Sequence, residues 1–137
     1  MMTIGEAASA SGVSAKMIRH YEAIGLIKPR RAENGYRAYE EPDIAVLRFI
    51  RHARDLGFPL EEVRRLLGLW RDRNRTSAEV KRLAIDRVAA LEAKAASLRA
   101  MAASLRHLAD HCHGDARPEC PIIEELERDD HGKPAPL

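Results

Sequence analysis

The sequence predicts a mainly α fold: two short helices around a tight turn, a small β-hairpin, two further helices, one long helix and a terminal loop. Three observations carry this. Apolar residues recur at helical spacing through most of the chain. Asn34-Gly35, flanked by Tyr36 and Tyr39, is the strong hairpin signal. Ala84, Val88, Leu91, Ala95, Leu98, Ala102, Leu105 and Ala109 alternate spacings of four and three, which makes a heptad seam.

Thr3-Ile4-Gly5-Glu6 opens a first helix with a capping-box pattern, and Gly12 stops it, because glycine tolerates the left-handed backbone of a helix end. Ser14 caps a second helix over residues 15–23, with Met17, Ile18 and Tyr21 on one face. The short Ser11-Gly12-Val13 link makes the pair a helix-turn-helix. The Asn34-Gly35 turn, expected to be type I′, then makes a wing that carries Arg30, Arg31 and Arg37.

A third helix starts at Pro42 or Asp43, lines Ile44, Leu47, Ile50 and Ala53 along one face, and stops at Gly57. Pro59 opens a fourth, with Val63, Leu66, Leu67 and Trp70 as its core stripe. After the polar linker 72–76, Ser77 caps the long helix, which reaches about Ala109. Such a helix is roughly 45 Å long and cannot cover its own seam, so a second copy of the chain is the expected partner. Gly and Pro make 111–123 a loop bearing Cys112 and Cys120, and residues 121–126 read as one or two helical turns. This divides the chain into 1–76 (the winged helix-turn-helix with its connecting helices), 77–109 (the long helix, expected to dimerise), 110–127 (the cysteine loop and short helix) and a charged tail, 128–137, expected to be disordered.

Composition agrees with exposed helix. Of 137 residues, 45% are hydrophobic, 32% charged and only 4% aromatic, too few aromatics for a sandwich or barrel. No stretch approaches the apolar length of a membrane span and no signal peptide is visible, so the expected address is the cytoplasm, with the two cysteines as free thiols. The net charge of +2 is uneven: residues 1–76 hold 14 Lys and Arg against 10 Asp and Glu, the remainder 9 against 11. A basic first half suits a polyanion. In a helix-turn-helix the second helix enters the DNA major groove, which makes Lys16, Arg19, His20 and Tyr21 candidates for base or phosphate contact. Arg31, Tyr36 and Arg37 of the wing would lie along the flanking backbone.

Ile4-Gly5-Glu6-Ala7, the run from Ile18 to Ile27, Asn34-Gly35-Tyr36-Arg37-Ala38-Tyr39 and the run from Phe49 to Leu60 together resemble the MerR-family winged-helix signature. The resemblance covers about residues 3–127. It implies a homodimeric transcription regulator with winged-helix ends and an antiparallel two-helix coil. Such a regulator sits on promoter DNA whose spacer is overlong, represses without inducer, and with inducer distorts the DNA so that RNA polymerase can engage both promoter elements.

Cys112 and Cys120 bracket a short loop at a spacing that is not the usual zinc pattern. Two soft thiolates there suit a monovalent d¹⁰ ion in linear coordination. The loop Cys112…Cys120-Pro121-Ile122 resembles the copper-, silver- and gold-sensing branch of the family, which implies Cu(I), Ag(I) or Au(I) as inducer, one per loop. In the divalent-sensing relatives a cysteine stands at the position of Ser77; serine here removes a third thiolate. Ser77 and Lys81, at the start of the long helix, are the expected outer partners of the site, while His111 and His113 read as exposed loop side chains. The alternative is a thiol redox sensor closing a Cys112–Cys120 disulfide. Two cysteines fall short of an iron–sulfur centre, and a Cys/His nucleophile lacks an acidic orienter, so an enzyme is not expected.

Overall fold

The computed structural model describes residues 1–31 and 33–128. The expected disorder of the tail therefore falls almost wholly outside the described residues. Among the described residues six helices and a two-stranded ribbon follow in order: α1 Ile4–Ser11, α2 Ala15–Ala23, β1 Arg30–Arg31, β2 Arg37–Ala38, α3 Glu41–Asp55, α4 Leu60–Arg71, α5 Ser77–Asp110 and α6 Pro121–Glu127. They form two compact units, residues 1–89 and residues 90 onward.

Local signals set the first unit. Thr3 and Glu6 close the expected capping box: the Glu6 N–H donates to Thr3 Oγ1 at 3.2 Å and the Thr3 N–H to Glu6 Oε1 at 3.3 Å. Gly12 takes φ +77° and donates to the Ala8 carbonyl at 2.9 Å, which ends α1. The buried Ser11 hydroxyl accepts the Val13 N–H at 3.1 Å, and Ser14 Oγ accepts the Met17 N–H at 3.2 Å and starts α2. Arg48 of α3 then donates from Nε and Nη2 to the Ala10 carbonyl, tying the end of α1 to α3.

The core of this unit gathers Ile18, Tyr39, Ile44, Leu47, Ile50 and Val63, each essentially fully buried. It is fed by α2, the wing, α3 and α4. Fully burying an aliphatic side chain of this size contributes about 1.5–3 kcal/mol, so this cluster is the main stabilising term of the unit.

Several expectations need correcting. Asn34 keeps a negative φ, so the wing turn is not type I′; only Gly35 is left-handed, at φ +84°. The register Arg31↔Arg37 separates the paired ends by more than a two-residue turn, and the Asn34 side chain accepts the Tyr36 N–H at 3.1 Å. Trp70 is not core: it is 40% exposed and stacks on Phe49, ring centroids 4.6 Å apart. Ser77 does not cap α5; the Glu79 N–H donates to Thr76 Oγ1 at 3.3 Å, so Thr76 caps and Ser77 is the first helical residue. A feature without a sequence signal is the bridge between Met2 and Tyr39, whose N–H groups and carbonyls pair at 2.8 and 2.9 Å and fasten the chain start to the wing.

The seam of α5 is left bare by its own chain. Val88, Leu91, Leu98 and Leu105 are 44–59% exposed, while the one buried residue of α5, Leu83, lies off the seam. Among the described residues no helix is long and apolar enough to cross a membrane.

Two glycines should respond oppositely to alanine. Gly12 is left-handed, and a Cβ there would run into the Arg51 guanidinium, so Gly12→Ala should destabilise by about 1–2 kcal/mol. Gly68, exposed inside α4 with open space around it, should gain about 0.5–1 kcal/mol as Gly68→Ala. Urea unfolding midpoints check both; a shift of the same sign for the two variants would refute the account.

The Tyr39 phenol is buried without a hydrogen-bond partner among the described residues. Burial first, then the Glu22 carboxylate, raise it above its ordinary 10.0, opposed by Arg37 and Arg19. The unfolded phenol releases its proton first as pH rises, so this group's stabilising effect is full below pH 10 and is lost above it. Tyr39→Phe should leave stability at pH 7 equal or higher and flatten the decline above pH 10, read from thermal unfolding across that range.

Candidate functional site

Two groups of side chains stand apart from the core. The first is on the winged unit. Lys16, Arg19 and His20 are exposed along α2, while Ile18 and Tyr21 of the same helix turn inward. Arg19 shares a cleft of about 390 Å³ with Thr3, Ile4, Tyr36 and Arg37, so helix and wing face one space. Tyr36 is 75% exposed at the wing and Tyr21 only 5%, so the two tyrosines separate into a presented ring and a core ring. Arg37 Nε donates to the Glu22 carboxylate, which clamps the wing to α2. Arg31 Nη1 donates to the Gly35 carbonyl at 3.2 Å, bracing the wing loop. The face thus offers free cations on α2, an exposed aromatic and two arginines partly engaged in holding the wing.

The second group is the thiol loop. Cys112 stands two residues past the end of α5, its N–H bonded to the Ala109 carbonyl at 3.1 Å. Cys120 is the residue before α6, and Pro121 occupies the first turn. Between them Gly114 turns left-handed, and Asp115 accepts from the Arg117 N–H at 2.9 Å and from Nε at 2.8 Å. The Arg117 side chain, then its N–H, hold the Asp115 carboxyl below its usual range. This closure brings Cys112 Sγ to 3.4 Å from Cys120 Sγ, both half-buried and not disulfide-bonded. The Ile123 N–H first, then the Cys112 thiol and the Ile122 N–H, lower the Cys120 thiol below its ordinary 9.0, against burial and Glu124. Cys120 is therefore readier to become thiolate, the form that ligates metal.

The donor set is small. No group of three His, Cys, Asp or Glu poised to hold a metal occurs among the described residues. His111 Nδ1 is taken by the His107 carbonyl at 2.7 Å, and His113 is exposed. A linear S–M–S unit with bonds of roughly 2.3 Å would span about 4.6 Å, so an ion would part the sulfurs by about 1.2 Å from 3.4 Å. A loop bearing glycine can give that much. Ser77 and Lys81 lie exposed in the first two turns of α5, within the unit of residues 1–89, whereas the thiols belong to the other unit. His107, at the cleft beside α6, is the site-like residue that sequence inspection passed over; its four-residue spacing to His111 was the available signal.

Comparison with known proteins bears on both groups. Residues 2–69 match the MerR HTH family regulatory proteins, and residues 44–108 match the family description "MerR, DNA binding". The chain is 57% identical to "Heavy metal-dependent transcription regulator 2" of Rhizobium meliloti, covering 91% of this chain and 86% of that one. It is 43% identical to the HTH-type transcriptional regulator CueR of Escherichia coli O6:H1, covering 91% and 93%. Among solved structures it resembles PbrR691 of Ralstonia metallidurans, crystallised with lead(II), at a TM-score of 0.80 and 33% identity over 92% of this chain and 99% of that one. With helix-turn-helix, wing and long helix all inside these matches, the chain belongs to the MerR family of DNA-binding transcription regulators and is not an enzyme.

Proposed function

We propose that the chain is a metal-responsive regulator that binds promoter DNA as a homodimer and is switched by a monovalent soft ion, Cu(I) with Ag(I) or Au(I) as congeners, held between Cys112 and Cys120. The single observation that carries this is the pair of sulfurs 3.4 Å apart with no third donor grouped around them among the described residues. Two soft ligands suit two-coordinate d¹⁰ ions, whereas zinc wants four. The names of the relatives, a heavy metal-dependent regulator and CueR, support metal as the signal.

In this reading Arg19, Lys16 and His20 enter the major groove. Tyr36, Arg31 and Arg37 follow the backbone beside it, and Tyr21 acts from the core, holding α2. The bare seam of α5 pairs with the same seam of a second copy. Ser77 and Lys81 of that copy flank the metal loop, and serine in place of a thiol keeps the site selective for a single positive charge. Activation works through DNA shape. Bending a binding site costs on the order of 1–6 kcal/mol. The ion must bind the distorting conformer better than the relaxed one by a comparable amount, and RNA polymerase then meets realigned promoter elements.

A second reading rests on the same distance. Closing 3.4 Å to a disulfide of about 2.05 Å needs little movement, so an oxidant could operate the switch instead. Metal titration under a thiol reductant separates the two, because only the metal reading responds there.

The test is a reporter promoter titrated with Cu(I), Ag(I), Zn²⁺ and peroxide. Cys112→Ser or Cys120→Ser should abolish induction by Cu(I) yet leave promoter affinity unchanged in a gel shift. Arg19→Ala should do the reverse and weaken promoter affinity by about 1–3 kcal/mol, with or without metal. Induction surviving in either serine variant would refute the two-thiol switch.

Leu91→Asp combined with Leu98→Asp should convert a dimer to a monomer in sedimentation, because carboxylates buried in an apolar seam lack partners. An intact dimer would place the interface elsewhere.

A further inference from the structure

The end of α5 and the residue just past it hold a second set of metal-ligating side chains, separate from the thiols. His107 in the last turn of α5 and His111 just past its end are four residues apart, the His111 N–H continuing the helical pattern to the His107 carbonyl at 3.3 Å, with ring centroids 4.3 Å apart and planes inclined by 49°. Histidines at this spacing can direct two imidazole nitrogens at one ion. Two metal–nitrogen bonds of about 2.0–2.1 Å put those nitrogens roughly 3 Å apart, which rings this close can meet.

A hydrogen bond orders the pair further. His111 Nδ1 lies 2.7 Å from the His107 carbonyl oxygen. A carbonyl only accepts, so Nδ1 carries the proton and Nε2 is left with its lone pair. A ring N–H resting on a backbone carbonyl is how ligating histidines are commonly oriented.

The pair is also placed to stay accessible. Counted from the seam residues Leu105 and Ala109, positions 107 and 111 fall on the outer side of the heptad, and both side chains are exposed. Glu125 of α6 lines the same cleft of about 440 Å³ as His107, its carboxylate paired with Arg128 at 3.0 Å, so the two imidazoles carry the site.

We propose that His107 and His111 form a two-imidazole site for a borderline divalent ion, of the class of Ni²⁺ or Zn²⁺. Water completes its coordination. Neutral imidazole favours such ions, while the thiol pair favours softer monovalent ones. The site uses other side chains and another class of ion than the proposed switch, and it stands or falls independently of it.

The probe is Ni²⁺, titrated calorimetrically into the full chain with both thiols alkylated, and in parallel into the chain carrying Cys112→Ser and Cys120→Ser. The expected result is uptake of one ion per chain in both. His107→Gln or His111→Gln should each weaken it by roughly tenfold or more, while His113→Gln leaves it unchanged. Absence of uptake, uptake indifferent to both glutamine substitutions, or loss in His113→Gln would each overturn the proposal. Circular dichroism of each variant, matching that of the parent chain, keeps a folding defect from passing as a lost ligand.

Discussion

The winged unit depends on the burial of Tyr39. Its ring is wholly inside the core, while its N–H and carbonyl pair with Met2. One residue therefore fixes the chain start, the end of the hairpin and the entry to α3. The strands are only two residues each, too short to be stable as an isolated ribbon. They persist because Ala38 and Tyr39 are anchored in the core and Arg37 is bonded to Glu22 of α2. The position of the wing relative to α2 follows from that anchoring, and so does the cleft in which Arg19 and Tyr36 meet.

The arginines divide into two kinds of work. Arg48 holds the Ala10 carbonyl, Arg54 that of Phe58, Arg64 that of Ile24 and Arg87 that of Gly57. Each accepting group lies at or just beyond a helix end, where carbonyls lack an intrahelical partner. A positive balance in the first half of the chain thus overstates the charge offered to a polyanion, since part of it is structural. Lys16 and Arg19 are the more telling cations, because they are exposed on α2. Charge counts supported nucleic acid only weakly; placement supports it better.

Much of the fold was legible because its signals are local. Thr3, Glu6, Gly12 and Ser14 each act within four residues, and their sequence pattern is their mechanism. The heptad of α5 was legible for the same reason. What was illegible depends on distant partners or on competition between neighbours. The Met2–Tyr39 bridge joins residues far apart in sequence, with no motif to announce it. Thr76 and Ser77 are both good caps, and only the hydrogen bond to Glu79 decides between them. Trp70 has core spacing on α4, yet it sits at the end of the helix and finds its partner in Phe49 at the rim. The thiol pair was visible as a spacing, whereas the 3.4 Å approach of its sulfurs and the Asp115–Arg117 pairing between them show only in three dimensions.

Charge adds a constraint on what the loop can hold. Two thiolates with a monovalent ion leave one negative charge, and with a divalent ion none. A half-buried site disfavours net charge unless donors are aimed at it. Here the Ile122 and Ile123 N–H groups already lower the Cys120 thiol, so part of the compensation is supplied by the backbone that begins α6. Selectivity in the proposed switch then rests on two features of the loop acting together: a donor count of two, which starves a four-coordinate ion, and backbone N–H groups that make a residual negative charge tolerable. Lys81 and the start of a partner's α5 would refine that balance in the proposed dimer rather than create it.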